Sequence, residues 1–283
     1  MDDHGWFGEQ NTGDQCVLAF SFVPVEVNFA DADPVVLAPT TLAMTRPNCP
    51  YTREAISPAG QRTLFFSMNA KLASELVATH DPKALDRLHD PFPMRYAPSM
   101  PRAVACARQL ERCINMSDGV LEPIEFDELV MGIVQHSIAG VYEHIGQSRS
   151  PKLPSETMTA QRRWVDDVIT RLCDEPGKRW SLAQLADEVE LSPGYLSRLF
   201  RVHTGHTLSQ TLTIIRLMHT LERLPDMRGR LTRLAIECGF SSHAHMSSAF
   251  RTVLNASPNE LMHASGRELR VSLADLGKQL RAG

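Results

Sequence analysis

The pattern of apolar and polar positions divides the chain into a strand-type first part and a helical remainder. Apolar residues alternate with polar ones at 16–30, and two further β-type runs follow at 35–44 and 62–68. Turns marked by proline and asparagine separate the runs. Such alternation is typical of strands that bury one face, so this part of the chain is expected to form a β-rich fold.

Helical periodicity replaces the alternation after residue 69. Apolar residues recur every three or four positions in 70–79, 101–116 and 123–145, which predicts three helices. The intervening residues 81–100 are rich in proline and are predicted to be irregular. Strands that precede the helices, rather than alternating with them, indicate an α+β fold class.

The C-terminal part contains a two-helix pattern that occurs twice. Ser181 and Gln184 form a capping box ahead of a short amphipathic helix. Ser192 and Pro193 then begin a second helix, with the serine as its N-cap and the proline in its first turn. The same order of apolar positions returns about 50 residues later, at 231–251. The sequence therefore predicts two helix-turn-helix units, and the repetition indicates this more strongly than either unit alone.

Two further helices are expected around this repeat. A connecting helix begins with a cap at Thr207 and ends at Pro225, because proline cannot continue a helix. Ser257 and Glu260 form another capping box, which begins a final short helix. An all-α region with two helix-turn-helix units and one linker helix is therefore expected.

A segment without periodicity separates the two parts of the chain. Residues 146–155 are rich in glycine, serine and proline, which is typical of a flexible linker. We therefore predict a first domain at 1–148, a linker at 149–158, a second domain at 159–270 and a tail of unassigned role at 271–283. At 283 residues, the chain is long enough for two cores.

Charge is distributed unevenly along the chain, whose formal net charge is −4. Residues 1–158 hold 12 basic and 20 acidic residues, a net charge of −8. Residues 159–270 hold 15 basic and 12 acidic residues, a net charge of +3, together with six histidines. The first part therefore repels a nucleic acid and the second attracts one. Because the basic excess is modest, binding to DNA must depend on individually placed arginines.

Four short motifs in the helical part carry a family resemblance. They are LSRLFR at 196–201, IECGFSS at 236–242, AFR at 249–251 and SP at 257–258. Together with Gly205 and Arg216, these motifs resemble the AraC/XylS family of bacterial transcription regulators over roughly 100 residues. The chain departs from the family pattern at Thr211, Met246, Asn255 and 261–262.

The resemblance implies a fold, a function and partners. It implies two helix-turn-helix units that grip adjacent major-groove segments, with recognition helices about one duplex turn, ~34 Å, apart. By its layout alone, the first part resembles the small cupin-like sensor domain with dimerisation helices of that family. The expected function is a sequence-specific transcription regulator that binds double-stranded promoter DNA, contacts RNA polymerase and responds to an unidentified small-molecule effector. The alternative is a regulator controlled by a protein partner, with no small-molecule ligand.

The outward face of the second helix in each unit supplies the candidate DNA contacts. In the first unit they are Ser192, Gly194, Tyr195, Ser197, Arg198 and Arg201. In the second unit they are Ser241, Ser242, His243, Ala244, Ser247, Ser248 and Arg251. Arg198 is the candidate base reader, because an arginine fork fits guanine O6 and N7, whereas Arg201 is expected to meet phosphate. The alternatives are an ordinary solvated arginine, and serines that act only as N-caps.

The second unit and the connecting helix carry weaker candidates. Ser248 stands where the first unit has Arg198, so phosphate and shape contacts are expected there, with His243 as a candidate donor. Arg216 matches the linker-helix arginine of the family. We favour an intramolecular role for it, as a salt bridge to an acidic residue of a neighbouring helix.

Aromatic strand residues are candidates for a ligand pocket. Phe20, Phe22, Phe29 and Phe65 are candidates to line it, with Tyr51 and Arg53 at its mouth; a place in a plain hydrophobic core is the alternative, which we favour for each phenylalanine. In the helix predicted at 123–145, apolar residues cover more of the helix circumference than a single buried face requires. This predicts a second buried face, in a homodimer contact.

The sequence does not indicate an enzyme. No histidine occurs between Asp14 and Met68, where a metal-binding cupin needs clustered histidine and glutamate, and no GxSxG, phosphate-loop or GxGxxG motif is found. Cys49 is a candidate nucleophile, but no histidine or basic residue near it in the sequence is positioned to activate it. We therefore expect no catalytic activity, no cofactor and no metal.

The six cysteines and the apolar runs suggest a compartment. The cysteines show no CxxC spacing and are expected to be free thiols. Cys106 and Cys113 lie on one predicted helix, either as small buried residues or as a redox or metal sensor. No apolar run approaches the ~20 residues that cross a bilayer, and the acidic N-terminus lacks signal-peptide features, so a cytoplasmic protein without a membrane partner is expected.

Overall fold

The computed structural model describes residues 6–115, 123–147, 155–227 and 229–263. The strands of the N-terminal part are β1 (Trp6–Asn11), β2 (Gln15–Ser21), β3 (Val25–Phe29), β4 (Val35–Leu37), β5 (Thr41–Thr45), β6 (Pro50–Ala55), β7 (Thr63–Asn69) and β8 (Tyr96–Pro98). They form two four-stranded sheets, with strand orders β1-β6-β3-β4 and β7-β2-β5-β8. All the pairings within these sheets are antiparallel.

The three predicted strand runs contain strands, but the runs do not correspond to single strands. The run at 16–30 breaks before Pro24, and its two strands, β2 and β3, belong to different sheets. Alternation does not predict β1, β6 or β8. In β6, none of the six side chains is buried, so this strand carries no apolar face for the pattern to reveal.

Ten α-helices lie in the described residues. They are α1 (Ala70–Ala78), α2 (Pro101–Asn115), α3 (Pro123–Gln147), α4 (Ser155–Asp174), α5 (Leu182–Glu188), α6 (Pro193–Thr204), α7 (Leu208–Arg223), α8 (Leu231–Glu237), α9 (His243–Leu254) and α10 (Pro258–His263). The helices predicted from apolar spacing are confirmed to within a few residues. The segment 81–100 contains a 3₁₀ helix, Pro82–Asp86, as well as β8.

The internal repeat is confirmed helix by helix. α5 and α8 have 7 residues each, and α6 and α9 have 12 each. In both turns a backbone N–H donates to an alanine carbonyl, that of Ala186 or Ala235, at 2.9 Å. Both long helices end at a residue in the left-handed region, Gly205 at φ 68° and Asn255 at φ 53°. Asparagine tolerates this region better than most residues, so the departure at 255 preserves the same helix ending.

Both predicted capping boxes are formed. Ser181 Oγ accepts a hydrogen bond from the Gln184 N–H at 3.2 Å, and Gln184 Oε1 accepts one from the Ser181 N–H at 3.0 Å. Ser257 Oγ accepts from the Glu260 N–H at 3.2 Å, and the Glu260 carboxylate accepts from the Ser257 N–H at 2.6 Å. These bonds satisfy N–H groups that a first helical turn leaves without intrahelical partners.

The chain divides into two compact units, and each combines segments from both sides of the predicted linker. The sheet unit contains the described parts of Met1–Ser99, Ile138–Asp174 and Trp180–Leu208. The helical unit contains the described parts of Met100–Ser137, Glu175–Arg179 and Ser209–Gly283. The first helix-turn-helix unit, α5 and α6, therefore belongs with the sheets, and the second, α8 and α9, belongs with α2 and α7. Residues 148–154 of the predicted linker region and the tail at 271–283 lie outside the described residues.

Each unit has its own core. In the sheet unit, buried side chains of β2, β3, β4 and β5 form one cluster that includes Ala19, Val27, Phe29, Leu37 and Ala43. In the helical unit, side chains of α7, α8 and α9 are buried, among them Leu217, Leu221, Leu234, Met246 and Phe250. Within this unit α2 also packs against α9.

Most of the apolar side chains around α3 are buried within one chain. Leu129, Ile133, Ile138 and Val141 are all buried, and Ile145 is exposed. Burial inside the protomer therefore explains four of the positions that suggested a dimer contact, and the apolar circumference of α3 no longer indicates a dimer by itself. Among the described residues, no helix is both long enough and apolar enough to cross a membrane.

Candidate nucleic-acid interface

The helix α6 presents one exposed polar face and one buried apolar face. Its N-terminus is capped by Ser192, whose Oγ accepts a hydrogen bond from the Tyr195 N–H at 3.3 Å. Leu196, Leu199 and Phe200 are buried on the inner face, where α6 packs against α5. The predicted contacts Gly194, Ser197, Arg198 and Arg201 are all exposed. The structure thus brings Gly194, Ser197, Arg198 and Arg201 onto one accessible face, with Ser192 serving as the N-cap.

Arg198 lies over an aromatic ring of its own helix. Its guanidinium carbon is 5.6 Å from the ring centroid of Tyr195, a distance typical of a cation–π contact. The Tyr195 hydroxyl accepts a hydrogen bond from Gln161 Nε2 of α4 at 3.1 Å. Tyr195 is half-buried and contacts both residues, so it links the exposed Arg198 to Gln161 of α4.

The helix α9 has a similar exposed face with less charge. Ser242 caps it by accepting a hydrogen bond from the His245 N–H at 3.1 Å. Ser241 is not a cap; its Oγ lies 3.1 Å from His245 Nδ1. Ala244, Ser248 and Arg251 are exposed, and His243 is half-buried. Arg251 is therefore the one cationic side chain on the exposed face of α9.

The predicted outward position of Ser247 is wrong. Ser247 is 8% exposed, and its Oγ lies 3.4 Å from His243 Nε2. The 3.6-residue spacing places position 247 one residue after the buried Met246, at the edge of the apolar face, and α9 also packs against α2. Position 247 is therefore covered, because α9 has a second neighbour that the sequence pattern of the repeat does not show.

Arg216 has the intramolecular role that we favoured, but with different partners. Its Nε donates to the carbonyl oxygen of Pro176 at 2.9 Å, and its Nη2 donates to that of Lys178 at 3.0 Å. No acidic partner was found for it among the described residues. A Cβ at Gly239, where φ is 83°, would lie 2.7 Å from Arg216 Nε, so the guanidinium needs glycine there. Burial lowers the pKa of Arg216, yet it stays protonated at neutral pH.

Polar residues of α4 that the sequence analysis did not single out form a buried cluster in the sheet unit. Arg162 Nε donates to Asp166 Oδ1 at 2.7 Å, and Asp166 Oδ2 accepts from the Val36 N–H at 3.1 Å. Burial raises the pKa of Asp166 to about 6, against the attraction of Arg162. Burial and the same guanidinium lower the pKa of His203, on α6, to about 4. The available signal was an Arg–Asp pair at i,i+4 flanking the apolar Val165.

A cavity of about 320 Å³ is lined by side chains of both sheets. Its apolar lining includes Val17, Ala19, Val25, Val27, Phe29, Leu37 and Ala43, and its polar lining includes Asn11, Thr12, Thr45, Thr63 and Ser67. Four of the candidate ligand residues, Phe29, Tyr51, Arg53 and Phe65, line it. The Arg53 guanidinium carbon is 5.9 Å from the ring centroid of Tyr51 and 5.5 Å from that of Phe65. This size is at the lower end of the range for small-molecule sites.

The candidate lining roles of Phe20 and Phe22 are wrong, and for Phe20 the alternative of a core position is confirmed. Neither is among the residues around this cavity. Phe20 is 1% exposed and packs edge-on against Phe66, with 5.7 Å between ring centroids. Successive residues of a strand point to opposite faces, and Ala19 lines the cavity, so Phe20 points away from it into the core.

The cysteines are all free thiols. Burial raises the pKa of Cys49, and it raises the pKa of Cys16 and of Cys106 to about 12. A thiol with a raised pKa is protonated at neutral pH and is a poor nucleophile. Cys49 therefore lacks the activation that a catalytic thiol requires, and Cys106 and Cys113 are both buried.

Comparison with known proteins agrees with the repeat. A family model described as a helix-turn-helix domain matches residues 185–264. The HTH-type transcriptional regulator GlxA of Rhizobium meliloti (strain 1021) is 37% identical over 93 residues, which cover 33% of this chain and 28% of GlxA. The HTH-type transcriptional activator RhaS of Pectobacterium carotovorum subsp. carotovorum (strain PC1) is 28% identical over 117 residues, which cover 41% of this chain and 42% of RhaS.

A solved structure is similar to part of the chain. The crystal structure of a transcriptional regulator from Chromobacterium violaceum, described as AraC-type, is 24% identical, covers 36% of this chain and 92% of its own, and has a TM-score of 0.34. The chain spans less than half the length of GlxA and of RhaS. In its helix-turn-helix region the chain is therefore similar to these transcriptional regulators, as its resemblance to the AraC/XylS family predicts.

Proposed function

We propose that the protein binds specific sequences of duplex DNA and regulates transcription from the promoters that contain them. The observation that carries this proposal is α6, whose exposed face presents Arg198 and Arg201 while its other face is buried. Neither α6 nor α9 contains an acidic residue, although the whole chain is acidic. Helices with such a face fit the major groove, where arginine forks read guanine.

The role of Arg198 is tested by DNA selection with the full-length protein. A preferred duplex is first selected from a randomised library, and affinities for it and for its single-base variants are then measured by fluorescence anisotropy. Arg198→Ala is expected to weaken binding to the selected duplex by ~1–3 kcal/mol and to relax the preference at one base pair. Lys71→Ala, an exposed change on α1, is the control. Unchanged base preference in Arg198→Ala refutes the reading role.

The remaining exposed residues of the two recognition helices are proposed to contact the backbone of the duplex. Arg201, Arg251 and Ser248 are exposed, and arginine contacts to phosphate position a protein without specifying bases. Arg201→Ala is therefore expected to weaken binding to all duplexes about equally and to reduce the salt dependence of the binding constant by about one unit of slope. A salt slope equal to that of the wild type excludes a phosphate contact at Arg201.

The cavity between the sheets is the proposed effector site, which favours a small-molecule regulator over control by a protein partner alone. Most of its lining is apolar, and Arg53 supplies a positive charge beside two aromatic rings. No carboxylate is among the described residues that line it. A compact molecule with an apolar body and one anionic group matches this chemistry, because the cation pairs with the anion and the walls bury the body.

Thermal-shift measurements on the full-length protein test the effector chemistry. Apolar carboxylic acids of graded size are compared with their primary amides, which have the same shape and no charge. Acids that bind are expected to raise the melting temperature, because ligand binding to the folded state stabilises it. Arg53→Gln should lose this response, and Lys71→Gln should keep it. Equal stabilisation by acids and amides contradicts an anion-binding role for Arg53.

Promoter DNA and RNA polymerase are the proposed macromolecular partners, and both are met in the cytoplasm. RhaS is named as an activator, which makes activation the proposed direction. An in vitro transcription assay with a selected promoter should give more transcript when the protein is present. A homodimer is proposed as well; sedimentation of the free protein and of its DNA complex should show two protomers, and a single protomer in both states excludes it.

A further inference from the structure

One side of helix α4 forms hydrogen bonds to both sheets. Its polar side chains make four hydrogen bonds to the strands and loops of the sheet unit. Two are donated by α4: Thr159 Oγ1 donates to Asp33 at 2.8 Å, and Arg162 Nη2 donates to Thr41 Oγ1 at 3.3 Å. Two are accepted by α4: Asp166 Oδ2 accepts from the Val36 N–H at 3.1 Å, and Asp174 accepts from Ser57 Oγ at 2.9 Å. Since these bonds are spread over most of its length, the sheets fix the position of α4.

The same helix also contacts the first helix-turn-helix unit, within the sheet unit. Gln161 Nε2 donates to the Tyr195 hydroxyl at 3.1 Å, and Arg162 Nη1 donates to the carbonyl oxygen of His203 at 3.2 Å. These two acceptors lie near opposite ends of α6. Gln161 and Arg162 are both buried, so their bonds are shielded from competing water. The orientation of α6 is therefore set by α4.

Tyr195 connects this contact to Arg198. Without support, an exposed arginine on a helix samples many rotamers, and ordering them costs free energy when DNA binds. The Tyr195 ring lies 5.6 Å from the Arg198 guanidinium carbon and holds it by a cation–π contact. Because Gln161 holds the tyrosine hydroxyl, the position of the ring depends on α4.

Asp166 and Arg162 form hydrogen bonds to β4 and β5, and both strands also line the ligand cavity. Val36 is followed in β4 by Leu37, and Thr41 lies two residues before Ala43 in β5. Leu37 and Ala43 both line the cavity. A molecule that moves either strand therefore also moves the hydrogen-bond partners of α4.

We propose that Gln161 and Tyr195 are positioning residues that fix the Arg198 guanidinium for base reading, and that Arg162 and Asp166 tie this placement to the strands of the cavity. The inference rests on the proposed role of Arg198. It makes α4 the connection by which the contents of the cavity change base preference at one position, without any residue of α4 touching DNA.

The base-preference assay described above tests the positioning role. Arg198→Ala first identifies the base pair that Arg198 reads. Tyr195→Leu, which removes the ring, is expected to reduce discrimination at that base pair by about 2- to 5-fold. Tyr195→Phe keeps the ring but loses the bond from Gln161, and Gln161→Met loses the same bond from the other side. Both are expected to reduce discrimination at the same base pair by about 2-fold, and to leave the other positions unchanged.

The link to the sheets is tested with two more variants in the same assay. Arg162→Met removes the buried guanidinium, and Thr41→Val removes only one of its acceptors and is the gentler change. Both should reduce discrimination at the base pair read by Arg198. Asp167→Asn, an exposed change on α4, should have no effect.

The outcomes separate the inference from the function on which it rests. If Arg198→Ala relaxes one base pair but Tyr195→Phe and Gln161→Met do not, the positioning role is wrong and the reading role stands. If these variants weaken binding to all duplexes equally, their role is structural, which also overturns the inference. If Arg198→Ala relaxes no base pair, both the reading role and the inference fail. If Thr41→Val leaves every base preference unchanged, the link to the cavity strands is wrong.

Discussion

Removal of the Asp166 carboxylate tests whether α4 is fixed to the sheet unit as described. Asp166 and Arg162 are each 5% exposed. The carboxylate accepts hydrogen bonds from Arg162 Nε at 2.7 Å and from the Val36 N–H at 3.1 Å. Asp166→Ala removes both acceptors at once, and it leaves a buried guanidinium without its counter-charge.

The expected cost follows from this burial. Removing one partner of a buried ion pair destabilises a protein by roughly 3–5 kcal/mol, because the remaining charge is uncompensated. An amide N–H left without an acceptor costs about 1–3 kcal/mol more. The pKa of Asp166 is raised to about 6 by burial, so the ionised carboxylate is itself held at a cost at neutral pH. Because the variant does not bear that cost, we expect a net loss below the sum of the two terms, about 3 kcal/mol.

Urea unfolding at pH 7, followed by circular dichroism, measures this loss. Asp167→Ala is the matched control, since Asp167 is the next residue of α4 and is exposed. The control is expected to change the free energy of unfolding by less than about 0.5 kcal/mol. Because the chain has two compact units, amide exchange of α4 and α6 should be measured as well, and should rise in Asp166→Ala alone. Equal stability of the two variants would falsify the buried-pair description.

Three further predictions concern single positions. Gly239→Ala places a Cβ 2.7 Å from Arg216 Nε at φ 83°, and should lower the free energy of unfolding by ~1–2 kcal/mol or more. Gly194→Ala, in open space on α6, is the control and should raise the free energy of unfolding by up to about 1 kcal/mol. Calorimetry that finds similar changes for the two variants contradicts the close approach at Gly239. Asn255→Ala should cost about 1 kcal/mol and Asn255→Gly should cost nothing, because φ is 53°; equal losses in thermal unfolding exclude a left-handed helix end there. His203 has a folded pKa of about 4, below its usual 6.5, so folding disfavours its protonation, and its contribution to stability is lost as pH falls from 6.5 to 4. The stability of the wild type relative to His203→Gln should therefore fall by about 1 kcal/mol per pH unit over that range, and a difference independent of pH contradicts the lowered pKa.

Local signals in the sequence predicted the C-terminal helices well. The capping boxes at Ser181 and Ser257 consist of bonds between residues three apart, so the sequence contains the whole interaction. The equal helix lengths of the two helix-turn-helix units likewise follow from the spacing of apolar residues within each unit. The outward face of α6, including Arg198, followed from the 3.6-residue period and was confirmed as exposed.

Interactions between distant segments could not be predicted in this way. The pairing of β6 with β1 and β3 joins segments with no apolar pattern of their own. Ser247 is covered although its place in the repeat predicts exposure, and α9 packs against α2, which comes more than a hundred residues earlier in the chain. Phe20 and Tyr51 are both aromatic strand residues, but only Tyr51 lines the cavity, because the register of the strands decides which face each side chain occupies.

The role of α4 was missed for a related reason. An Arg–Asp pair at i,i+4 is common on solvated helix surfaces, and sequence alone gives it little weight. Only the bonds to Val36 and Thr41 show that the pair is buried and joined to the sheets. The division of the chain into a sheet unit and a helical unit likewise depends on such long-range contacts, which no composition change along the sequence reveals.

A footprint of the full-length protein on its selected duplex tests most directly the claim that both helix-turn-helix units engage DNA. Methylation protection reports contacts in the major groove base by base. Two protected segments, about one helical turn apart, are expected for the wild type. Arg198→Ala should lose protection at a guanine in one segment and keep the other. A single protected segment in the wild type, unaffected by Arg198→Ala, contradicts the proposal.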